Sequence, residues 1–178
     1  VSGNAWMLIY GDEQANAKTM VFVLGTSIRT GDPVELERAR QSCRLLRHLA
    51  EERGLPFHII EFDDEAAEID SVVLDKESVS LERLKAIFED TGLPVTRGSV
   101  GKAINSQKSS AYHQWQRDSL GAITVSDIDL VRMDTSCSRP IEVVELKRSF
   151  KPVTQWKPYP QDFRNFDLIV DVISRIGA

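Results

Sequence analysis

Four charged residues stand on two short segments that the sequence predicts to pair as antiparallel strands: Asp127, Asp129, Glu145 and Lys147. Strand-like residues at 121–133 and 141–146 flank a turn-rich segment, 134–140. Opposed residues of an antiparallel pair have numbers with a constant sum, here about 274 for a turn centred on Cys137. Asp129 is therefore predicted to lie opposite Glu145. By the same register Asp127 lies opposite Lys147, and all four side chains share one face of the hairpin.

Two facing carboxylates are the unusual feature of this hairpin. Asp129 and Glu145 repel each other across the strands, and a bound divalent cation removes that repulsion. Mg²⁺ prefers carboxylate oxygens and takes its remaining ligands from water and phosphate. The alternative is a cross-strand salt bridge between Asp127 and Lys147 on a half-exposed sheet, which leaves the Asp129–Glu145 opposition unexplained. The residues therefore favour a metal site, with the salt bridge as the competing reading.

The other face of the hairpin is predicted to be core. It carries Ile128, Leu130, Val144 and Leu146. A register slip of one residue would exchange the two faces, so this assignment depends on the predicted turn.

The elements around the hairpin predict an α/β fold with a central mixed sheet flanked by helices. Apolar runs predict strands at Met20–Leu24 and Phe57–Phe62, with a short one at 72–74. Helical spacing predicts helices at 33–53, 80–91, the second part of 99–118, and 161–176. Prolines at 152, 158 and 160 exclude regular structure between residues 150 and 160.

These residues resemble the PD-(D/E)XK nuclease superfamily, which is restriction-endonuclease-like. The segments that carry the resemblance are Ser126-Asp127-Ile128-Asp129-Leu130-Val131 and Val143-Val144-Glu145-Leu146-Lys147-Arg148-Ser149. The resemblance covers about residues 99–176. It implies a nuclease-like catalytic core at 99–178, with 1–98 as an N-terminal strand–helix–strand elaboration. No clear linker divides the chain, which predicts a single α/β domain over 1–178.

The resemblance also implies roles for the hairpin residues. Asp129 and Glu145 would ligate the metal, and Lys147 would orient or activate the attacking water. Asp127 would be an additional ligand or would support the ligands. The expected activity is that of a Mg²⁺-dependent endonuclease, a hydrolase of phosphodiester bonds in which Mn²⁺ can substitute for Mg²⁺.

The chain departs from the family pattern at two points. The family often has a further Glu on the helix before the hairpin, and residues 106–118 contain none. Glu82 or Glu89 would fill that role, or it is vacant. The family core also ends on a strand after the last helix, and here Met20–Leu24 or Phe57–Phe62 would take its place.

Polar and cationic residues on both sides of the hairpin are predicted to contact nucleic acid. They are Lys108, Gln114, Arg117, Arg148, Lys151, Lys157 and Arg164. Cationic side chains match phosphates, which is the basis for this prediction. His113 is a candidate base, but a capping or surface histidine is the favoured reading.

Charge and composition limit the partners. Residues 1–93 carry a net charge of −8 and residues 94–178 one of +3, so the acidic half is expected to face water and the other half an anion. We expect nucleic acid, with DNA favoured over RNA, as the partner and no membrane. We also expect no signal peptide, a cytoplasmic setting, and a possible homodimer. The alternative function is a catalytically inactive nuclease-like module that binds nucleic acid or a protein.

Overall fold

The computed structural model describes residues 5–27, 33–96, 110–121, 123–134, 136, 139–146 and 152–177. Its strands are β1 (Ala5–Gly11), β2 (Ala17–Gly25), β3 (Phe57–Phe62), β4 (Ser71–Leu74), β5 (Glu77–Ser80), β6 (Thr124–Ile128), β7 (Leu130–Asp134) and β8 (Arg139–Val144). Its helices are α1 (Pro33–Glu52), α2 (Leu81–Asp90), α3 (Ala111–Ser119) and α4 (Phe163–Ile176). Six strands form one mixed sheet in the order β5-β4-β3-β2-β1-β6, and β7 and β8 form a separate two-stranded sheet.

The strand–helix–strand unit predicted at 20–62 is confirmed. β2 and β3 are parallel neighbours, with Met20 opposite Phe57, and α1 connects them. Eight of the nine residues of β2 are buried, as expected for a central strand that helices cover on both faces. α1 is followed by Gly54, whose φ of 71° reverses the chain at the predicted helix end.

Strand β1 was not predicted from the sequence, and it determines where β6, which carries Asp127, lies. It pairs antiparallel with β2 on one side and with β6 on the other. Through Met7 opposite Ile128, it brings the first half of the predicted hairpin into the main sheet. Residues before position 98 thus supply five of the six strands, and the residues assigned to the catalytic core supply the sixth. The division into elaboration and core stays a prediction.

Helices cover both faces of the main sheet. On one face, α1 and α4 bury a core that includes Leu46, Leu168 and Val172. On the other face, α2 and α3 bury a second core around Leu84 and Tyr112. The predicted α/β class with a mixed sheet flanked by helices is confirmed, while its restriction-endonuclease-like character remains a prediction.

The second core contains a buried polar network that fixes α3 on the sheet. The hydroxyl of Tyr10 in β1 donates to Gln116 Oε1 at 2.7 Å and lies 2.9 Å from the hydroxyl of Tyr112. All three side chains are buried, so leaving any of these groups without a partner would cost about 1–3 kcal/mol. The network therefore sets the position of α3 beside β1 and β6.

The remaining helices follow the predicted boundaries closely. α2 begins after Ser80, whose side chain accepts a hydrogen bond from the Arg83 N–H. α4 begins at Phe163, after a single 3₁₀ turn over Pro160–Asp162. The proline-rich segment before it has another 3₁₀ turn, Val153–Gln155. Within the described ranges, no helix is both long and apolar enough to cross a membrane.

Candidate metal centre

Asp129 lies at the break between two sheets. β6 ends at Ile128 and pairs with β1, whereas β7 begins at Leu130 and pairs only with β8 in the described chain. The prediction of one continuous strand over 121–133 is therefore wrong at this residue. Aspartate is a poor strand former, and here its carboxylate accepts a backbone hydrogen bond instead of projecting from a regular pleat. The break allows the chain to leave the main sheet and form the hairpin.

The predicted register of the hairpin is confirmed next to the break. Leu130 pairs with Val144, Val131 with Val143, and Arg132 with Glu142. The next step in this register brings Asp129 opposite Glu145, just beyond the start of β7 and the end of β8. Leu146 N–H donates to Asp129 Oδ2 at 2.6 Å, so the residues just after β8 and just before β7 are in direct contact. Further out, a register shift between Arg132 and Met133 changes the pairing.

Asp127 reaches the same place from the main sheet. It pairs with Leu8 of β1. Its predicted partner, Lys147, lies outside the described residues, as do Lys108, Arg148 and Lys151. The pairing of Asp127 with Lys147 therefore stays a prediction.

The three acidic side chains converge. One carboxylate oxygen from each of Asp127, Asp129 and Glu145 lies within 4.8 Å of the others. Asp127 and Asp129 are exposed, whereas Glu145 is half-buried and its Oε2 is shielded from solvent. Octahedral Mg²⁺ with bonds of about 2.1 Å places its ligand oxygens within about 4.2 Å of one another. Adjacent ligands of such an ion lie only about 3 Å apart, so the cluster could hold a small divalent cation once its side chains draw closer together.

The prediction that Leu130 and Leu146 lie in the core is wrong. Leu130 is 57% exposed and Leu146 is 70% exposed. Val131 and Val143 pack against the core instead. The reason is the break at Asp129: once the chain leaves the main sheet, the burial pattern of β6 no longer continues into β7.

Glu82 and Glu89, the candidate glutamates on α2, line a cleft and are not part of the acidic cluster at the hairpin. Glu82 and Glu89 border a cleft of about 550 Å³ between α2 and α3, with Trp115 and Asp118 on its other side. Among the described residues, the acidic cluster at the hairpin contains only Asp127, Asp129 and Glu145. The structure therefore gives no support to a metal-binding role for either α2 glutamate.

His113 lies in the first turn of α3, where it contacts the residue that caps the helix. Ser110 caps α3, accepting from the His113 N–H, and its Oγ lies 2.8 Å from His113 Nδ1. The imidazole meets the ring of Trp6 edge-on, with centroids 4.5 Å apart. Burial, assisted by the charge of Arg117 and opposed by that of Asp127, lowers the pKa of His113 to about 4. The ring is therefore neutral at pH 7.

Lower pH is expected to destabilise the fold through His113. Its pKa is about 4 when folded and 6.5 as a model group, so the unfolded chain binds the proton more readily. The stabilising contribution is complete above pH 6.5 and is lost as the pH falls toward 4. From about pH 7 to about pH 5.5, the free energy of unfolding should fall by about 1 kcal/mol more in the native protein than in His113→Gln.

Denaturant titrations of both proteins at the two pH values measure this difference. His48 and His58 are present in both, so their contributions cancel in the comparison. Equal pH dependence in the two proteins would show that His113 is not held neutral in the fold.

The predicted nucleic-acid residues that the structure describes are all on the protein surface or near it. Gln114 and Arg117 lie on α3, where Arg117 donates to Gln114 and Gln114 donates to Asp118. Lys157 and Arg164 are exposed, in the segment before α4 and in its first turn. None of them is a ligand in the acidic cluster, so their predicted contacts with substrate stay predictions.

One participant at the site was missed by reasoning from the sequence, namely the backbone N–H of Leu146. Pattern analysis assigns roles to side chains, and this donor carries no residue-type signal. No protein-family model, curated protein or solved structure matches the chain.

Proposed function

We propose that the chain is a Mg²⁺-dependent endodeoxyribonuclease, a hydrolase of phosphodiester bonds. The observation that carries this proposal is the convergence of Asp127, Asp129 and Glu145 within 4.8 Å at the break between the two sheets. The residues come from the end of β6, the break itself and the end of β8, so three separate backbone positions direct carboxylates to one point.

The chemistry of the donors supports a hard divalent cation. All three ligands offer carboxylate oxygens, which suit Mg²⁺ and Mn²⁺ better than metals that require nitrogen or sulfur. Three protein oxygens leave room for water and a phosphate in an octahedral shell. A metal held in this way is suited to a phosphate ester substrate.

Each acidic residue of the cluster would have its own role in holding the cation. Asp129, just before β7, and Glu145, just after β8, would hold the cation between them. Asp127 would add a ligand from the main sheet. The exposure of Asp127 and Asp129 leaves the centre accessible to a polymeric substrate. When bound, the cation would polarise the phosphoryl group and lower the pKa of an attacking water. By the family resemblance, Lys147 would orient that water.

Cationic residues around the hairpin would hold the nucleic-acid backbone. Lys157 and Arg164 are exposed and follow the hairpin in the chain. Arg117 lies on α3, and its charge lowers the pKa of His113 in the same helix. Phosphate contacts of this kind release counterions, so binding should weaken steeply with salt.

A cleavage panel tests the proposal. Linear duplex, circular, single-stranded and four-way DNA, with matched RNA, are incubated with Mg²⁺ or Mn²⁺ and with EDTA. Metal-dependent internal cleavage of at least one DNA is the expected result. Calorimetric titration with Mn²⁺ is run in parallel. Binding of nucleic acid without cleavage would favour the alternative function, a catalytically inactive nuclease-like module. Cleavage in EDTA would contradict the metal mechanism.

A further inference from the structure

The cleft between α2 and α3 is a feature of the main sheet that the proposed metal centre does not use. Its volume is about 550 Å³, and clefts of about 300–1,000 Å³ are typical of ligand-binding sites. Leu81, Val95 and Trp115 line it and pack against the second core, so its inner part is apolar. None of the lining residues belongs to the acidic cluster at the hairpin.

The outer part of the cleft is acidic. Glu82 and Glu89 of α2 and Asp118 of α3 line it and are exposed, and Lys85 is the cation among the described lining residues. Seven residues separate the two glutamates, so they lie on the same face of α2, about 10 Å apart along the helix axis. Three carboxylates against one ammonium group leave an excess of negative charge in the cleft.

The aromatic wall of the cleft is held in place by the core. Trp115 is half-buried, and its ring centroid lies 5.6 Å from that of Tyr112, which is fully buried. The hydroxyl of Tyr112 in turn lies 2.9 Å from that of Tyr10 in β1. The indole is therefore already ordered, so a ligand that stacks on it does not have to immobilise it.

We propose that this cleft binds an arginine-bearing segment of a partner protein. A guanidinium group pairs with a carboxylate through two N–H groups and is attracted to the face of an aromatic ring, and the cleft provides both partners. The same carboxylates would repel an anionic partner such as nucleic acid. The inference concerns a second partner of the chain and does not depend on the proposed function.

The spacing of the two glutamates indicates how the segment would present its arginines. In a polyproline II segment, residues three positions apart lie on the same side and about 9 Å apart, because the rise is 3.1 Å with three residues per turn. This spacing matches the separation of Glu82 and Glu89 along α2. The test therefore uses the capped tetrapeptide Arg-Pro-Pro-Arg as its probe.

The peptide is titrated into the full chain at low salt and followed by NMR through the indole N–H signals of the three tryptophans. Trp115→Phe identifies the signal of Trp115. We expect saturable binding below about 1 mM, with the largest shift at Trp115 and smaller shifts at Trp6 and Trp156. Absence of saturation below that concentration, or a larger shift at either of the other tryptophans, would overturn the proposal.

Charge variants on α2 test the electrostatic part. The double variant Glu82→Gln/Glu89→Gln should weaken binding about tenfold, because each exposed ion pair is worth about two- to fivefold. Lys85→Ala removes the competing cation and should strengthen binding. Asp90→Asn is the matched control, since Asp90 is exposed on the same helix and does not line the cleft.

The control should bind within about twofold of the native protein. Circular dichroism verifies that each variant is folded. An equal loss in Asp90→Asn and in the double variant would mean that the peptide responds only to the overall negative charge of the surface, which contradicts a site in the cleft.

Other cations show whether the cleft selects arginine in a peptide. Pro-Arg-Arg-Pro has the same composition but can place only one arginine at a glutamate, so it should bind about two- to fivefold more weakly. Lys-Pro-Pro-Lys should also bind more weakly, because an ammonium group makes no bidentate pair. Equal binding of either peptide, or of spermidine, would overturn the assignment. No measurement here involves a metal, so a failure leaves the nuclease proposal untouched.

Discussion

Glu145→Gln is expected to abolish metal-dependent cleavage and to eliminate Mn²⁺ binding at the hairpin. The substitution preserves the size of the side chain and removes the negative charge that would offset the proposed cation. Metal stabilisation of phosphoryl charge is worth several kcal/mol, so the rate should fall by about 10³-fold or more. Single-turnover cleavage measures the rate, and calorimetry measures the binding.

Glu142→Gln is the matched control for this variant. Glu142 lies on the same strand, is exposed, and pairs with Arg132 at 3.1 Å outside the cluster. An exposed pair of this kind contributes at most about 1 kcal/mol, so the variant should fold, bind Mn²⁺ and cleave nearly as the native protein does. Equal losses in the two variants would show that the effect is not specific to the cluster.

Thermal unfolding provides a readout that does not depend on substrate. A ligand that binds only the folded chain stabilises it in proportion to the logarithm of its concentration over the dissociation constant. Mn²⁺ should therefore raise the unfolding temperature of the native protein and of Glu142→Gln, and leave that of Glu145→Gln nearly unchanged. A full shift in Glu145→Gln would exclude Glu145 as a ligand.

The register of the hairpin could be predicted because its causes are local. Turn residues between 134 and 140 fix the centre of the hairpin, and alternation then fixes which residues oppose. Leu130 does lie opposite Val144, and Val131 opposite Val143. The meeting of Asp129 and Glu145 follows from that register.

The break at Asp129 could not be predicted because its cause is distant in sequence. β6 stays in the main sheet because β1 pairs with it, and Met7 is 121 positions before its partner Ile128. β1 is a short apolar run that Gly11 and Asp12 follow, so the sequence carries a signal for the strand itself but none for its pairing with β6. The outward position of Leu130 and Leu146 follows from this long-range pairing, so pattern analysis placed them in the core.

The neighbourhood of His113 shows the same limit. The sequence favoured a capping or surface histidine over a catalytic base, and in the structure the ring contacts the cap residue Ser110. Its ring contact with Trp6 and its electrostatic interaction with Asp127 depend on α3 packing beside β1 and β6, through the buried Tyr10 hydroxyl. Burial in that packed arrangement, and not the local sequence, lowers the pKa of His113.

Lys147→Ala is expected to separate cation binding from catalysis. In the family pattern, the lysine of the Glu-x-Lys motif acts on the attacking water or on the transition-state oxygens and is not a metal ligand. Loss of one such preorganised charge typically costs about 10²- to 10³-fold in rate. Mn²⁺ affinity should remain within about threefold of native, because the carboxylates are unchanged.

Lys85→Ala is the control for the loss of a lysine charge. Lys85 lies on α2 and lines the cleft opposite Trp115, away from the acidic cluster. Alanine is a good helix former, so this variant should fold and cleave as the native protein does. Lys147→Arg adds a second comparison: it keeps the charge but changes the geometry of the donors, so a role in positioning water predicts poor rescue.

The comparison of rate with affinity decides what Lys147 does. A fall in the maximal rate with native Mn²⁺ binding and native substrate affinity assigns it to the chemical step. A fall in Mn²⁺ affinity as large as the fall in rate would mean that the lysine maintains the metal centre instead of acting in the chemical step. Undiminished cleavage would remove it from the mechanism and leave the carboxylates as the only groups of the motif with a catalytic role.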